Sequence, residues 1–151
     1  MTKILFVCHG NICRSPMAEF IMKDIVRQRG DEDRFHIESA ATSTEEIGND
    51  MYPPARRKLT EMCIPYTRRA ARKIRKSDYD EYDYIIGMDE YNRLNLERFF
   101  AGDPFGKLSN LMDFTDSPRP VPDPWFTGDF DSTYDDLLEG CTSLYNYIRA
   151  K

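Results

Sequence analysis

Histidine is scarce in this sequence: only His9 and His36 occur among 151 residues. There is no Cys-x-x-Cys pair, and the two histidines stand at no ligand spacing. A zinc centre is therefore not expected, and neither a metal nor a cofactor enters the reading. Apolar runs extend for only a few residues, too short to span a membrane. The opening "MTKILFVC" lacks the long apolar segment and the small-residue cleavage site of a secretory signal, and reads as the first β-strand of a cytoplasmic protein. No low-complexity tract interrupts the chain. No nucleic-acid-binding motif occurs, and a net charge of −5 argues against nucleic acid as a partner.

The sequence does supply a core. Hydrophobic residues make up 40% and charged residues 31%, the balance of a soluble globular domain, and the length suits one domain over residues 1–151. With that core, Cys8, Cys13, Cys63 and Cys141 are not required as disulfide staples, and reduced thiols are expected. Charge is spread unevenly. Arg56 to Lys76 holds nine bases and one acid, and Val121 to Ile148 holds six acids and no base. These stretches read either as solvated helix faces or, for the basic one, as a patch that attracts anions.

Apolar and amphipathic segments alternate. Ile4 to Val7 is apolar throughout, as in a central parallel strand. Ser15-Pro16 suits a helix start, followed by Ala18, Ile21, Met22, Ile25 and Val26 at helical spacing and Gly30 as a stop. "FHIESA" (35–40) is a second strand, "YPPARRKLTEM" (52–62) a helix, and "YDYIIGM" (82–88) a third strand. Asp89 caps a helix through "EYNRLNLERFF", and "GKLSNLMDF" (106–114) holds a short fourth strand. "SPRPVPDPWF" (117–126), with four prolines, is a stiff loop. The last helix covers 129–149, with Phe130, Tyr134, Leu137, Leu138, Cys141, Leu144, Tyr145 and Ile148 inward. This alternation predicts an open α/β sheet, mostly parallel, with ligands bound beyond the C-terminal strand ends.

Cys8 to Ser15 falls at such an end, between the first strand and the first helix. A loop there can turn successive backbone N–H groups toward one point, where the helix dipole adds positive potential. Arg14 can offer a planar fork of donors to the same point. His9, Gly10, Asn11, Ile12 and Cys13 complete the loop; Gly10 tolerates unusual backbone angles and Asn11 suits the left-handed region. A tetrahedral oxyanion such as phosphate fits this cradle. The field that holds an anion also favours a thiolate at Cys8, placed for in-line attack on a phosphoryl group. Ser15 can hydrogen-bond the sulfur. The plainer readings are a core cysteine, a capping serine and a chance Cys-x5-Arg. Asp123, in the proline-stiffened loop beside Trp125 and Phe126, could protonate a departing phenolate, or could simply open an Asp-Pro turn.

"VCHGNICRSPMAE" resembles the low-molecular-weight protein tyrosine phosphatases. "SAATS" (39–43), "IGN" (47–49), "MDEYN" (88–92) and "DPWF" (123–126) resemble further signatures of that family, in order and at family spacing. The resemblance implies a flavodoxin-like three-layer fold with a four-stranded parallel sheet, no metal, and hydrolysis of phosphotyrosine proteins through a cysteinyl-phosphate. It implies Cys8 as nucleophile, Arg14 as phosphate-binding arginine and Asp123 as general acid. Asn11, Ser15 and Ser39 would brace the loop, and Asp89 would join a structural network. Cys13 would be the second loop cysteine, which in relatives forms a reversible disulfide with the nucleophile. His9, Gly10, Asn11, Ile12, Cys13, Ser15, Trp125 and Phe126 are then expected around the substrate, in a protein acting as a monomer.

Some positions depart from the family. Glu45 stands where relatives often carry an aromatic wall residue. Arg68 is expected in place of a histidine that supports the loop asparagine, and Tyr52-Pro53-Pro54 lacks a usual aspartate. Trp125 and Phe126 have no phenolic oxygen to phosphorylate, so that form of regulation is not expected. An arsenate reductase would need a closely spaced downstream cysteine pair, which is missing. A non-catalytic phosphate-binding module would not need Cys8 or Asp123. A phosphoarginine phosphatase tends to carry a small polar residue where Ile12 stands.

Overall fold

The computed structural model describes all 151 residues. Four strands form one sheet: β1 (Thr2–Cys8), β2 (Phe35–Ala41), β3 (Tyr84–Gly87) and β4 (Leu108–Asn110). Every pairing is parallel and the order is β2-β1-β3-β4. The helices are α1 (Arg14–Gln28), α2 (Pro53–Glu61), α3 (Asp78–Glu81), α4 (Glu90–Phe99), α5 (Pro124–Thr127) and α6 (Phe130–Arg149). This is the flavodoxin-like three-layer arrangement that the alternating pattern and the family resemblance imply. No helix is long and apolar enough to cross a membrane.

β1 is apolar throughout because both of its faces are covered. Side chains alternate across a strand. Ile4, Phe6 and Cys8 point into the larger core cluster with α1, α2 and α6. Leu5 and Val7 point into the smaller one, with Tyr79, Tyr82, Ile85 and Leu96. The chain leaves β1 for β2 on one side and returns to β3 on the other. The end of β1 is thus the point where the strand order reverses, and such sheets hold ligands there.

Several boundaries differ from the sequence reading. α1 begins at Arg14 with Cys13 in the capping position, so Ser15 and Pro16 lie inside its first turn. The Ser15 hydroxyl is committed to other partners. β3 is shorter than 82–88, because Tyr82 closes the four-residue α3, an element that residue spacing did not reveal. The end of 117–126 is not loop but the single turn α5, capped by Asp123. On α6 the other predicted inward residues are buried or half-buried, whereas Leu138 is 38% exposed.

Several side chains of the basic stretch have individual partners. Arg72 pairs with Asp78, Lys58 with Asp131 and Arg56 with Asp50, while Lys73 and Lys76 lie over the Phe99 ring.

Candidate active site

The loop between β1 and α1 is anchored from outside. The N–H groups of Thr42, Ser43 and Tyr52 donate to the carbonyls of Cys8, His9 and Ile12 at 3.0, 3.1 and 2.9 Å. Its own N–H groups are treated differently: from His9 to Ser15 none donates to another part of the chain. Backbone donors left without protein acceptors, at the start of a fifteen-residue helix, offer themselves to an anion.

Asn11 holds the bend, at φ 59. It is fully buried, and its Nδ2 donates to Oγ of Ser15 at 2.8 Å and of Ser39 at 2.9 Å. Ser39 in turn donates to Oε1 of Glu19 at 2.6 Å. Gly10 does not take the unusual φ that its place in the loop suggested, and a Cβ there would make only ordinary contact, 3.4 Å from Cγ of Glu46.

Cys8 and Ser15 meet, Sγ to Oγ, at 2.9 Å. Arg14 is 3% exposed and its fork is fixed. Nη1 donates to Oδ2 of Asp89 at 2.6 Å and to the Val121 carbonyl at 2.9 Å, and Nη2 faces Oδ2 of Asp123 at 3.5 Å. Burial by itself would lower the Arg14 pKa; negative charge at Cys8, Asp89 and Asp123 more than offsets this and raises it. Cys13 carries the opposite signal. Burial first, then negative charge at Cys8 and Asp123, push its thiol up to about 12. All four cysteines are free thiols.

These groups line one cavity of about 290 Å³. It brings together Cys8, His9, Gly10, Ile12, Cys13 and Arg14 with Asp123, Trp125 and Phe126 from more than a hundred residues away. Asn11, Ser15 and Ser39 stand behind the loop, and Asp89 stands behind Arg14. The aromatic wall is Trp125, 52% exposed, backed by Tyr52 at 4.7 Å between ring centroids. The lining is also acidic: Glu45, paired with Nε2 of His9 at 2.8 Å, and Glu46.

One expected residue is displaced. Arg68 does not brace Asn11; it is exposed, and Nη2 of the next residue, Arg69, donates to Oδ1 of Asn11 instead. Among closely spaced arginines no local signal distinguishes the one that turns inward. Glu19 and Glu46 were also not foreseen, since a glutamate in an amphipathic helix or a polar loop ordinarily faces water.

Residues 3–151 match the family model of the low molecular weight phosphotyrosine protein phosphatases. The chain belongs to this family. Low molecular weight protein-tyrosine-phosphatase YfkJ of Bacillus subtilis strain 168 is 34% identical over 151 residues, spanning 99% of this chain and 97% of its own. The YfkJ crystal structure superposes with a TM-score of 0.96 over 99% of this chain and 96% of that one. The low molecular weight protein tyrosine phosphatase of Streptococcus pyogenes is 39% identical, with a TM-score of 0.88 over 97% and 93% of the two chains. A Drosophila arginine phosphatase is 29% identical, with a TM-score of 0.89 over 98% of each chain. The protein is thus an enzyme of the protein-tyrosine-phosphatase class, a hydrolase, on the scaffold shared by these relatives.

Proposed function

We propose that this phosphatase hydrolyses phosphotyrosine in proteins, and small aryl phosphates, in two steps. Cys8 Sγ attacks phosphorus as a thiolate; an S–P bond forms as the P–O bond to the ring breaks. Asp123, entering protonated, gives its proton to the departing phenolate oxygen. Water then attacks the cysteinyl-phosphate, Asp123 takes the proton from that water, and the S–P bond breaks to return the thiolate. Arg14 and the loop N–H groups hold the phosphoryl oxygens throughout. The Ser15 hydroxyl, 2.9 Å from Sγ, stabilises the leaving thiolate.

The observation that carries this reading is the run of unpartnered N–H groups from His9 to Ser15 beside Cys8 and the fixed guanidinium of Arg14. Such preorganised donors stabilise charge that develops during phosphoryl transfer. A phenolate is a poor leaving group, tyrosine having a pKa of about 10, which supports a role for Asp123 as acid. Trp125 and Ile12 line the same cavity and offer a slot for an aryl ring.

The test is one preparation assayed on phosphotyrosine, phosphoserine and phosphoarginine peptides of matched sequence. Phosphotyrosine is expected to give by far the highest kcat/KM. Equal kcat/KM on phosphoserine, or a preference for phosphoarginine, would contradict the proposal.

Peroxide sensitivity belongs to the same proposal. Peroxide would oxidise Cys8 to the sulfenic acid, and Cys13 would then displace water to close a disulfide. Burial of the Cys13 thiol, which raises its pKa, disfavours the thiolate that must close the bond and slows this step. Mass spectrometry of peroxide-treated protein should show the sulfenic acid before the disulfide.

A further inference from the structure

Two arginines of the basic stretch have no partner. Arg57 of α2 and Arg68 are exposed, and neither side chain takes part in an ion pair or a hydrogen bond. They line two surface hollows that share Arg56 and Tyr66, and so form one groove across α2 and the segment after it. Tyr66 is held in place there: its hydroxyl pairs with Oγ1 of Thr60 at 2.9 Å, and its ring packs edge-on against Phe20. The carboxylates of the groove are already engaged. Asp50 accepts from the N–H groups of Met51 at 2.7 Å and Arg69 at 3.4 Å, and from Nη1 of Arg56 at 3.4 Å. Glu61 accepts from Nζ of Lys58 at 3.2 Å.

A guanidinium presents a planar fork of donors that matches a carboxylate. The chain as a whole carries −5, so this groove is positive against the general field and selects local negative charge. It also begins at the catalytic cavity. Tyr52, just before α2, donates its N–H to the Ile12 carbonyl at 2.9 Å, and its ring lies 4.7 Å behind that of Trp125. Arg56, one helical turn on, donates its N–H to the Tyr52 carbonyl at 3.2 Å. A helix rises about 1.5 Å per residue, which sets the groove about 6 to 12 Å beyond Tyr52, and an extended peptide advances about 3.3 Å per residue. Residues about three to five places from a phosphotyrosine held in the cavity therefore reach the arginines.

We propose that this groove docks an acidic segment of the phosphotyrosine substrate, whose Asp or Glu side chains, on one side of the phosphotyrosine, pair with Arg57 and Arg68. The proposal rests on the phosphotyrosine reading of the cavity and adds which phosphotyrosine proteins it takes. The occupant is a stretch of the substrate itself because groove and cavity are joined through Tyr52. Exposed ion pairs are individually weak and are screened by salt. They act equally on bound substrate and transition state, so the groove lowers KM and leaves kcat as it is.

The test compares phosphotyrosine peptides of one length, with glutamate or alanine at those distant positions on one side or on the other. For wild type at low ionic strength, glutamate on one side only should raise kcat/KM about five- to tenfold, through KM. The gain should vanish in about 0.5 M salt, and in Arg57→Gln combined with Arg68→Gln. That double variant should keep its kcat/KM on the alanine peptides and on a small aryl phosphate. Arg57→Glu combined with Arg68→Glu should reverse the order and favour lysine over glutamate in the peptide. Equal kcat/KM for glutamate and alanine peptides in wild type would overturn the proposal. A gain of equal size from either side, or one that survives in the glutamine double variant, would also overturn it, because diffuse attraction rather than a groove would then be at work. Should wild type hydrolyse the aryl phosphate but none of the phosphotyrosine peptides, it is instead the phosphotyrosine reading that fails.

Discussion

Asp123 sets one oxygen 3.5 Å from Nη2 of Arg14 and gives the other to the Trp125 N–H at 3.0 Å. Asp89 divides itself in the same way, between Nη1 of Arg14 at 2.6 Å and the Asn92 N–H at 2.9 Å. Each carboxylate therefore starts a helix and faces the candidate phosphate-binding arginine. Asp89 makes the shorter contact and is the holder of Arg14. Asp123 lies at the longer distance, as the proposed acid role requires of a group that must exchange a proton with substrate. Asp123→Asn keeps the cap, since asparagine caps helices as well as aspartate does, and removes the acid. It should lower kcat on phosphotyrosine by about 10² to 10⁴, and by much less on an aryl phosphate with an acidic phenol. A series of aryl phosphates of graded leaving-group pKa reads this directly. The mutant rates should fall steeply with phenol pKa and the wild-type rates only weakly; parallel slopes would leave Asp123 a turn residue. Sequence spacing alone left both readings of Asp123 open, because its partners lie over a hundred residues away. The family resemblance singled it out.

At the scale of elements, what was legible depended on how much of an element's pattern lies within itself. β1 was readable because burial on both faces leaves an unbroken apolar run. α6 was readable because its buried face repeats over twenty residues. α3, with four residues, is too short to show a period, and it exists because Asp78 accepts from Arg72 and from the Arg75 N–H. The cap of α1 lies two residues before the expected Ser15 for a chemical reason: the serine that suits a cap is drawn to Cys8 and Asn11. α6 also holds a close approach that no pattern announces. A Cβ on Gly140 would come within 2.5 Å of Leu111 Cγ and 3.0 Å of Met112 Sδ, in the turn following β4. Gly140→Ala should therefore cost about 1–3 kcal/mol despite the better helix propensity of alanine. Thermal melting should show a drop of several degrees; an unchanged or higher midpoint would mean that the turn yields without strain.

The molecule as a whole joins a site at the C-terminal end of the sheet to ion pairs spread over the rest. Glu38 of β2 shows how these respond to acid. Burial alone would raise its pKa, but hydrogen bonds from Tyr82, at 2.5 Å, and from His36 reverse this and leave it lowered. A carboxylate held below its unfolded value stabilises the fold above that value and loses the contribution as pH falls through the folded one. Stability should therefore decline on acidification below about pH 4.3, the unfolded glutamate value. Glu38→Gln should melt with a flatter pH profile there than wild type, and identical profiles would show that Glu38 contributes nothing to the acid limb. In the proposed reaction, phosphate passes through Cys8. Rapid acid quench of the enzyme turning over an aryl phosphate, followed by peptide mass spectrometry, tests it most directly. Phosphate should be found on Cys8 in wild type, with none on the chain and no turnover in Cys8→Ser. Turnover that persists in Cys8→Ser, or phosphate trapped on another residue, would contradict it.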